Sequence, residues 1–301
     1  MEHTSASPAR TLGSGLRRII ERKRDMSEIA GKNVVVTGGA RGMGRLMAMR
    51  MARLGGRVVV YDVAAQALEA LVDEIGTAGW EAHGYVCDVS DRREVYRVAA
   101  EVKSKVGPVH IIVNNAGIIS GQRLLDIPDE RIEAVFGVNV LALFWVTKAF
   151  LPEMIERNSG HIVTMASAAG LLGVNRQTDY SASKHAAIGF TESLRVELKK
   201  GGYTGIKTTI VEPFYTDTGM MEGVKSRFPR LLPILKQEEV ADRVIRAVLQ
   251  DEQEIRVPFM LNLVPVFRVL PVALFDRVAE FFGVHESMEG FVGRSEAGID
   301  G

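Results

Sequence analysis

The 301-residue chain carries 37 lysine and arginine residues against 37 aspartate and glutamate residues, and 47% of its residues are apolar. Balanced charge gives no electrostatic case for nucleic acid or for a strongly charged substrate, and the apolar content is ample for the core of one large domain or two ordinary ones. The single cysteine, Cys87, excludes an internal disulfide and any CxxC metal or redox site. It points to a reducing cytosol, and beside an apolar strand signal it reads as a small buried core residue.

Residues 1–30 hold no apolar run long enough for a signal peptide or a membrane span, so a cytoplasmic protein is expected. Within them Leu16, Ile19 and Ile20 interleave with Arg17, Arg18, Arg22, Lys23 and Arg24. That pattern suits a short basic amphipathic helix on an anionic membrane, and equally an unstructured tail.

From Asn33 onward short β-branched runs alternate with longer helical patterns, the signature of βαβ units winding a parallel sheet. The runs are Val34 to Val36, Val58 to Val60, Tyr85-Val86, Ile111 to Val113, Ile162-Val163 and Ile210-Val211. Their continuous apolar character predicts strands buried on both faces, hence a central, doubly wound α/β sheet. With no repeat and no linker, residues 31–257 read as one domain between a tail (1–30) and an apolar extension (258–301). Residues 213–237 interrupt the last crossover as a long loop with the character of a substrate lid.

Directly after the first run comes Thr37-Gly38-Gly39-Ala40-Arg41-Gly42-Met43-Gly44, followed by the apolar-periodic stretch Leu46 to Leu54. Glycines at 38, 42 and 44 would let backbone approach a pyrophosphate whose charge faces a helix N-terminus. A glycine-rich turn alone is a weak signal, and strand, turn and helix in the right order strengthen it. Asp62 closes the second run, where a carboxylate can accept hydrogen bonds from ribose hydroxyls and would repel a 2′-phosphate. Arg41 could bind that phosphate, so NAD is favoured over NADP without the latter being excluded; Asp62 could also merely cap the next helix. On these features alone a nucleotide-binding regulator or a methyltransferase stays open.

The stretch Gln177 to Leu198 reads as a helix with Tyr180 and Lys184 four apart on one face. A tyrosine ionises near pH 10, and a neighbouring ammonium favours the phenolate, so the spacing predicts a phenol lowered toward neutrality and able to act as acid and base. Ser167 follows the run ending at Ala166, at the carboxyl end of a strand, where ligands bind in such sheets. Its hydroxyl could meet the substrate oxygen beside Tyr180, although a loop-capping serine would look the same. No His, Cys, Asp or Glu pattern suggests a metal.

Thr37 to Gly44, Asn114-Asn115-Ala116-Gly117, Asn139, Ser167 and Tyr180-Ser181-Ala182-Ser183-Lys184 together resemble the short-chain dehydrogenase/reductase family over about residues 31–250. The resemblance implies a Rossmann-type sheet of about seven parallel strands with helices on both faces. It implies Asn139, Ser167, Tyr180 and Lys184 as a catalytic tetrad: asparagine holding a water in a proton relay, serine orienting the substrate oxygen, tyrosine transferring the proton. It further implies dinucleotide contacts from Thr37, Gly38, Arg41, Gly42, Met43 and Gly44, from Asp62, Asp88 and Val89, from Asn115, Ala116 and Gly117, from Tyr180 and Lys184, and from Pro213 and Thr218. Where the family has glycine after that proline, this chain has Phe214, expected to narrow the pocket and make its wall more apolar.

Residues 213–221, 231–235 and 288–294 resemble the branch of epidermal-type retinol dehydrogenases and 17β-hydroxysteroid dehydrogenases, which implies a lipophilic alcohol or ketone as substrate. Pro258 to Val284 is rich in Phe, Leu and Val, yet is broken by Pro265 and Pro271 and carries Arg268, Asp276, Arg277 and Glu280. It suits a lid, an interface or a peripheral membrane contact better than a span. The expected activity is NAD-dependent interconversion of a retinoid, steroid or long-chain alcohol and its carbonyl, in a homodimer or homotetramer paired through the helices around Val138 to Phe150 and Tyr180. An NADP-dependent ketoreductase of a soluble intermediate and an NAD(H)-sensing scaffold remain as alternatives.

Overall fold

The computed structural model describes residues 28–293; the basic stretch from Leu16 to Arg24 lies outside them. Seven parallel strands form one sheet in the order β3-β2-β1-β4-β5-β6-β7. They are β1 Asn33–Thr37, β2 Arg57–Asp62, β3 Ala82–Val86, β4 Ile111–Asn114, β5 Gly160–Met165, β6 Ile206–Pro213 and β7 Glu254–Val257. The order reverses at β1, so the connections leaving the paired strands β1 and β4 run to opposite sides and open a crevice at the strands' carboxyl ends.

Alternation along each strand sends its side chains to two cores. Val34, Val36, Val58 and Val60 pack under helices α1 (Gly42–Arg53), α2 (Ala65–Thr77) and α7 (Gln237–Leu249). On the other face Val35, Val59 and Ile112 pack under α3 (Arg92–Lys105), α5 (Ala142–Arg157) and α6 (Thr178–Lys200). Cys87 is buried in that second core, and burial pushes its thiol up to about 12, far from a reactive thiolate.

Helix α4 (Asp129–Phe136) runs through a π-helical turn, Gly137–Leu141, into α5. The combined stretch Asp129–Arg157 is apolar and long enough to cross a membrane, but its apolar residues Val146, Ala149, Phe150 and Met154 are spent on the core. Strand β7 was not among the apolar runs because two of its four residues are charged. Its Arg256 pairs with Glu254 and, at 2.7 Å, with the fully buried Glu212 of β6. Burial holds the Glu212 carboxyl above the usual carboxylate range although Arg256 pulls the other way.

After β7 the chain folds back over the carboxyl ends of β5 and β6. A 3₁₀ turn (Phe259–Leu263), a short α8 (Val264–Phe267) and α9 (Val272–Phe281) make this roof.

Candidate active site

The glycine turn leaves β1 and enters α1. Gly38 and Gly42 adopt φ of +60° and +55°, a region L side chains avoid. Gly44 is required for a different reason: an added β-carbon would lie 2.1 Å from the Gly38 carbonyl oxygen and 2.6 Å from Asn115 Nδ2. Helix α1 starts at Arg41 with no side-chain cap and no acidic residue in its first turn, so its terminal N–H groups and positive dipole end are offered to an anion.

Asn115 and Thr37 clamp this turn to the loop after β4. Asn115 Nδ2 donates to the Thr37 and Gly38 carbonyls at 3.0 and 2.9 Å, while Thr37 Oγ1 accepts from the Asn115 and Ala116 N–H groups. Asp62, at the end of β2, accepts from the Ala40 N–H at 2.9 Å and from the Ala64 N–H at 3.0 Å. Its carboxylate therefore ties the glycine turn to β2 and shapes the approach to α2 without capping that helix. Asp88 is exposed and takes both the Ser90 N–H and hydroxyl, while Val89 is buried below it. Met43 packs part-buried in α1, and Pro213 is buried at the end of β6. Across the groove the Thr218 methyl and Gln237 Oε1 lie 4.0 and 3.9 Å from where a Gly42 β-carbon would be; that Gln237 oxygen is buried without a partner. Turn glycines free of side chains, uncapped helix amides and a carboxylate at the β2 end form a donor and acceptor set that fits a dinucleotide.

Helix α6 carries Tyr180 and Lys184, respectively 6% and 4% exposed. Lys184 Nζ donates to the Met165 carbonyl at the end of β5 at 2.8 Å and lies 5.5 Å from the centroid of the Tyr180 ring. A β-carbon on Gly117 would lie 3.5 Å from that amine and 3.4 Å from Asn139 Oδ1. The structure thus brings Lys184, Asn139 and Gly117 to one wall of the groove. The electrostatic balance differs from the spacing argument: burial pushes the Tyr180 phenol up to about 12, with the Ser167 hydroxyl opposing, and pulls Lys184 down to about 8. Desolvation of both groups outweighs their mutual attraction because the amine is turned to the Met165 carbonyl.

Ser167 caps the 3₁₀ turn Ala168–Gly170, its Oγ accepting from the Ala169 N–H at 3.2 Å. Asn139 sits in the π-turn with its carboxamide fully engaged. Its Oδ1 accepts from the Ile118 N–H, and its Nδ2 donates to the Ile118 carbonyl and to Ser183 Oγ, which in turn donates to the Tyr180 carbonyl at 2.7 Å. Such turns recur at functional sites. Among the described residues no group of three His, Cys, Asp or Glu is placed to hold a metal.

Tyr180 and Ser167 face an apolar cavity, the concave and mostly apolar kind of site that small molecules occupy. Its walls come from the segment after β6 (Phe214, Tyr215, Met221) and from the roof (Leu261, Phe275, Phe282). Phe214 does line it, stacked edge-on against Tyr215 at 4.7 Å. Three cavity or groove residues escaped the sequence argument: Gln177, Tyr215 as a polar group, and Gln237. Only Gln177 had a readable signal, lying three residues before Tyr180, where it is the N-cap residue of α6.

A family model described as short chain dehydrogenase matches residues 32–227. The chain is 43% identical over 295 residues to epidermal retinol dehydrogenase 2 of Mus musculus, covering 95% of each chain. Among solved structures it is similar to a short chain dehydrogenase/reductase from Burkholderia phymatum in complex with NAD. There the identity is 31% and the TM-score 0.73, over 81% of this chain and 95% of that one. It is also similar to a metagenomic short-chain oxidoreductase in complex with NADP, at 29% identity and a TM-score of 0.64 over 77% of this chain and 98% of that one.

Proposed function

Because the chain belongs to the short-chain dehydrogenase family, we propose that this oxidoreductase interconverts a lipophilic alcohol and its carbonyl with NAD as redox partner. The observation that carries the proposal is the apolar cavity whose polar edge includes Tyr180 and Ser167. A retinoid, steroid or long-chain alcohol would bury its body there, and its reacting oxygen would meet the two hydroxyls.

Held by the glycine turn and the Asp62 carboxylate, a bound dinucleotide would supply the hydride chemistry; the protein supplies alignment and proton handling. Tyr180, held up near 12 by burial, is protonated at neutral pH and suited to donate to a carbonyl oxygen. Ser167 has its acceptor side engaged with the Ala169 N–H, which leaves its proton for the same oxygen. For oxidation the phenol must give up that proton, and the cation of Lys184, close by, favours the charged form. Asn139 acts as a positioning residue: with its carboxamide spent on Ile118 and Ser183, the backbone of the π-turn is what remains for a proton relay.

NAD is preferred because the Asp62 carboxylate stands at the end of β2, where a 2′-phosphate would meet like charge. The outer face of the roof is also apolar, with Phe259 77% and Val269 83% exposed beside Val266 and Val272, which supports peripheral contact with a membrane from the cytoplasmic side. Exposed Leu141, Phe144 and Val196 on α5, α6 and the preceding π-turn support pairing of two copies. The direct test incubates the protein with a panel of lipophilic alcohols and aldehydes and follows NADH absorbance. Turnover of at least one pair is expected, and silence in both directions with either dinucleotide would sink the proposal.

A further inference from the structure

One polar group in the cavity wall is not used by the proton chemistry. Gln177 stands at the start of α6, is 1% exposed and lines the cavity, and its Oε1 is buried without a hydrogen-bond partner.

Which end of this carboxamide is the oxygen follows from counting protons along a chain that reaches the roof. Ser287 Oγ donates its single proton to the Val284 carbonyl at 2.7 Å. The contact of 2.8 Å between Tyr215 and Ser287 must then carry the proton of the Tyr215 phenol. With that proton spent, Tyr215 can only accept from Gln177, whose Nε2 lies 3.5 Å away. Turning the amide over would set two oxygens face to face with no proton between them. The free end is therefore an acceptor, in a wall otherwise built largely of Phe, Leu, Val and Met side chains that have no proton to give.

We propose that Gln177 Oε1 is a second recognition point in the cavity, taking a hydrogen-bond donor on the body of the substrate, and that the preferred ligands are lipophilic alcohols bearing a second hydroxyl. The proposal rests on the alcohol oxidoreductase activity argued above. Because Gln177 is the N-cap residue of α6, three residues before Tyr180, and both line the cavity, the second hydroxyl lies a few carbons from the reacting oxygen. A buried acceptor left unpaired is costly, so a matched donor gains affinity and an isostere lacking the donor does not.

The experiment compares two families of C12 primary alcohols by calorimetric binding to the full chain. One carries a second hydroxyl at C3, C4 or C5, and the other carries a methoxy group at the same carbon, which keeps an oxygen but removes the proton. At the best position the hydroxyl is expected to bind roughly tenfold tighter than its ether. That ratio should fall to about one in Gln177→Leu and in Gln177→Met, two variants that differ in shape so that one misfolding does not remove the comparison. Ratios near one at every position in the unaltered protein, or a ratio that survives both substitutions, would overturn the proposal. Binding is read without turnover, so absence of oxidation counts against the alcohol oxidoreductase activity alone.

Discussion

The two halves of the groove are built on different principles. On the dinucleotide side, position is fixed by backbone: Asn115, Thr37 and Asp62 together make or take seven hydrogen bonds with main-chain groups of the turn and its neighbours. On the substrate side, position is fixed by side-chain volume, with Phe214, Leu261, Phe275 and Phe282 contributed by segments far apart in the chain. The first arrangement tolerates almost no change because each bond is directional, and the second can be recut by exchanging one side chain for another. A pyrophosphate is the same in every dinucleotide, whereas substrates vary, and the architecture follows that division.

The largest effect should come where the halves meet. Tyr180→Phe removes one oxygen from the shared boundary and is expected to lower kcat by about three orders of magnitude. Dinucleotide affinity, read by fluorescence titration, should change less than about twofold. A comparable loss of dinucleotide binding would mean that the phenol serves the backbone-built half and not the reacting oxygen.

Next in size is a strike on the backbone half alone. In Gly44→Ala the new methyl would meet the Gly38 carbonyl at 2.1 Å, so the turn must open. A loss of about 2–4 kcal/mol in urea unfolding is expected, with dinucleotide affinity down at least about a hundredfold. Binding of a lipophilic ligand in the cavity should survive in the folded fraction; joint loss would show that the two halves do not behave separately.

How far each half could be read from sequence follows the same division. The glycine turn was legible because a positive φ at Gly38 and Gly42 excludes most other residues, so the chemical demand is written in residue type. Six strands were legible as apolar runs, and Ser167, Tyr180 and Lys184 fell on the elements expected of them. Strand β7 was not, because Glu254 and Arg256 make sense only beside Glu212 of the neighbouring strand. The π-turn around Asn139 has no residue signature either. Nor could spacing reveal that Lys184 turns to Met165 or that Gln177 joins Tyr215 and Ser287, since these partners meet only in the folded chain.

Burial at the boundary also carries a pH signature. Lys184 has its ordinary value of 10.5 lowered to about 8 by desolvation, and Tyr180 has its 10.0 raised to about 12. Between pH 8 and 10 the unfolded chain holds the lysine proton that the folded one has released. Taken by itself, Lys184 raises stability with pH through that window by about 2–3 kcal/mol. Glu212, raised to about 8, opposes it at the lower end, and Cys87, raised from 9.0 to about 12, opposes it above pH 9 because the unfolded thiol ionises first, so the lysine contribution is read as a difference between two proteins. Urea unfolding at pH 7.5, 9 and 10 should show the unaltered protein gaining on Lys184→Met by about that amount. A difference that does not change with pH would mean that the amine is better solvated than its surroundings indicate.

The smallest effect expected is also the most selective. Asp62→Asn removes a charge but keeps one oxygen, so it can hold the Ala40 or the Ala64 N–H but not both. Two consequences compete. Loss of like charge should relieve repulsion of a 2′-phosphate and favour NADP, while loosening of the turn should weaken both dinucleotides alike. Only the first alters their ratio, so the ratio of the two dissociation constants isolates the electrostatic part. It is expected to move toward NADP by about tenfold, roughly 1.4 kcal/mol. Equal weakening of NAD and NADP would instead identify Asp62 as a backbone clamp of the same kind as Asn115, and cofactor choice would then have to be sought in the glycine turn, beginning with Arg41 at the start of α1.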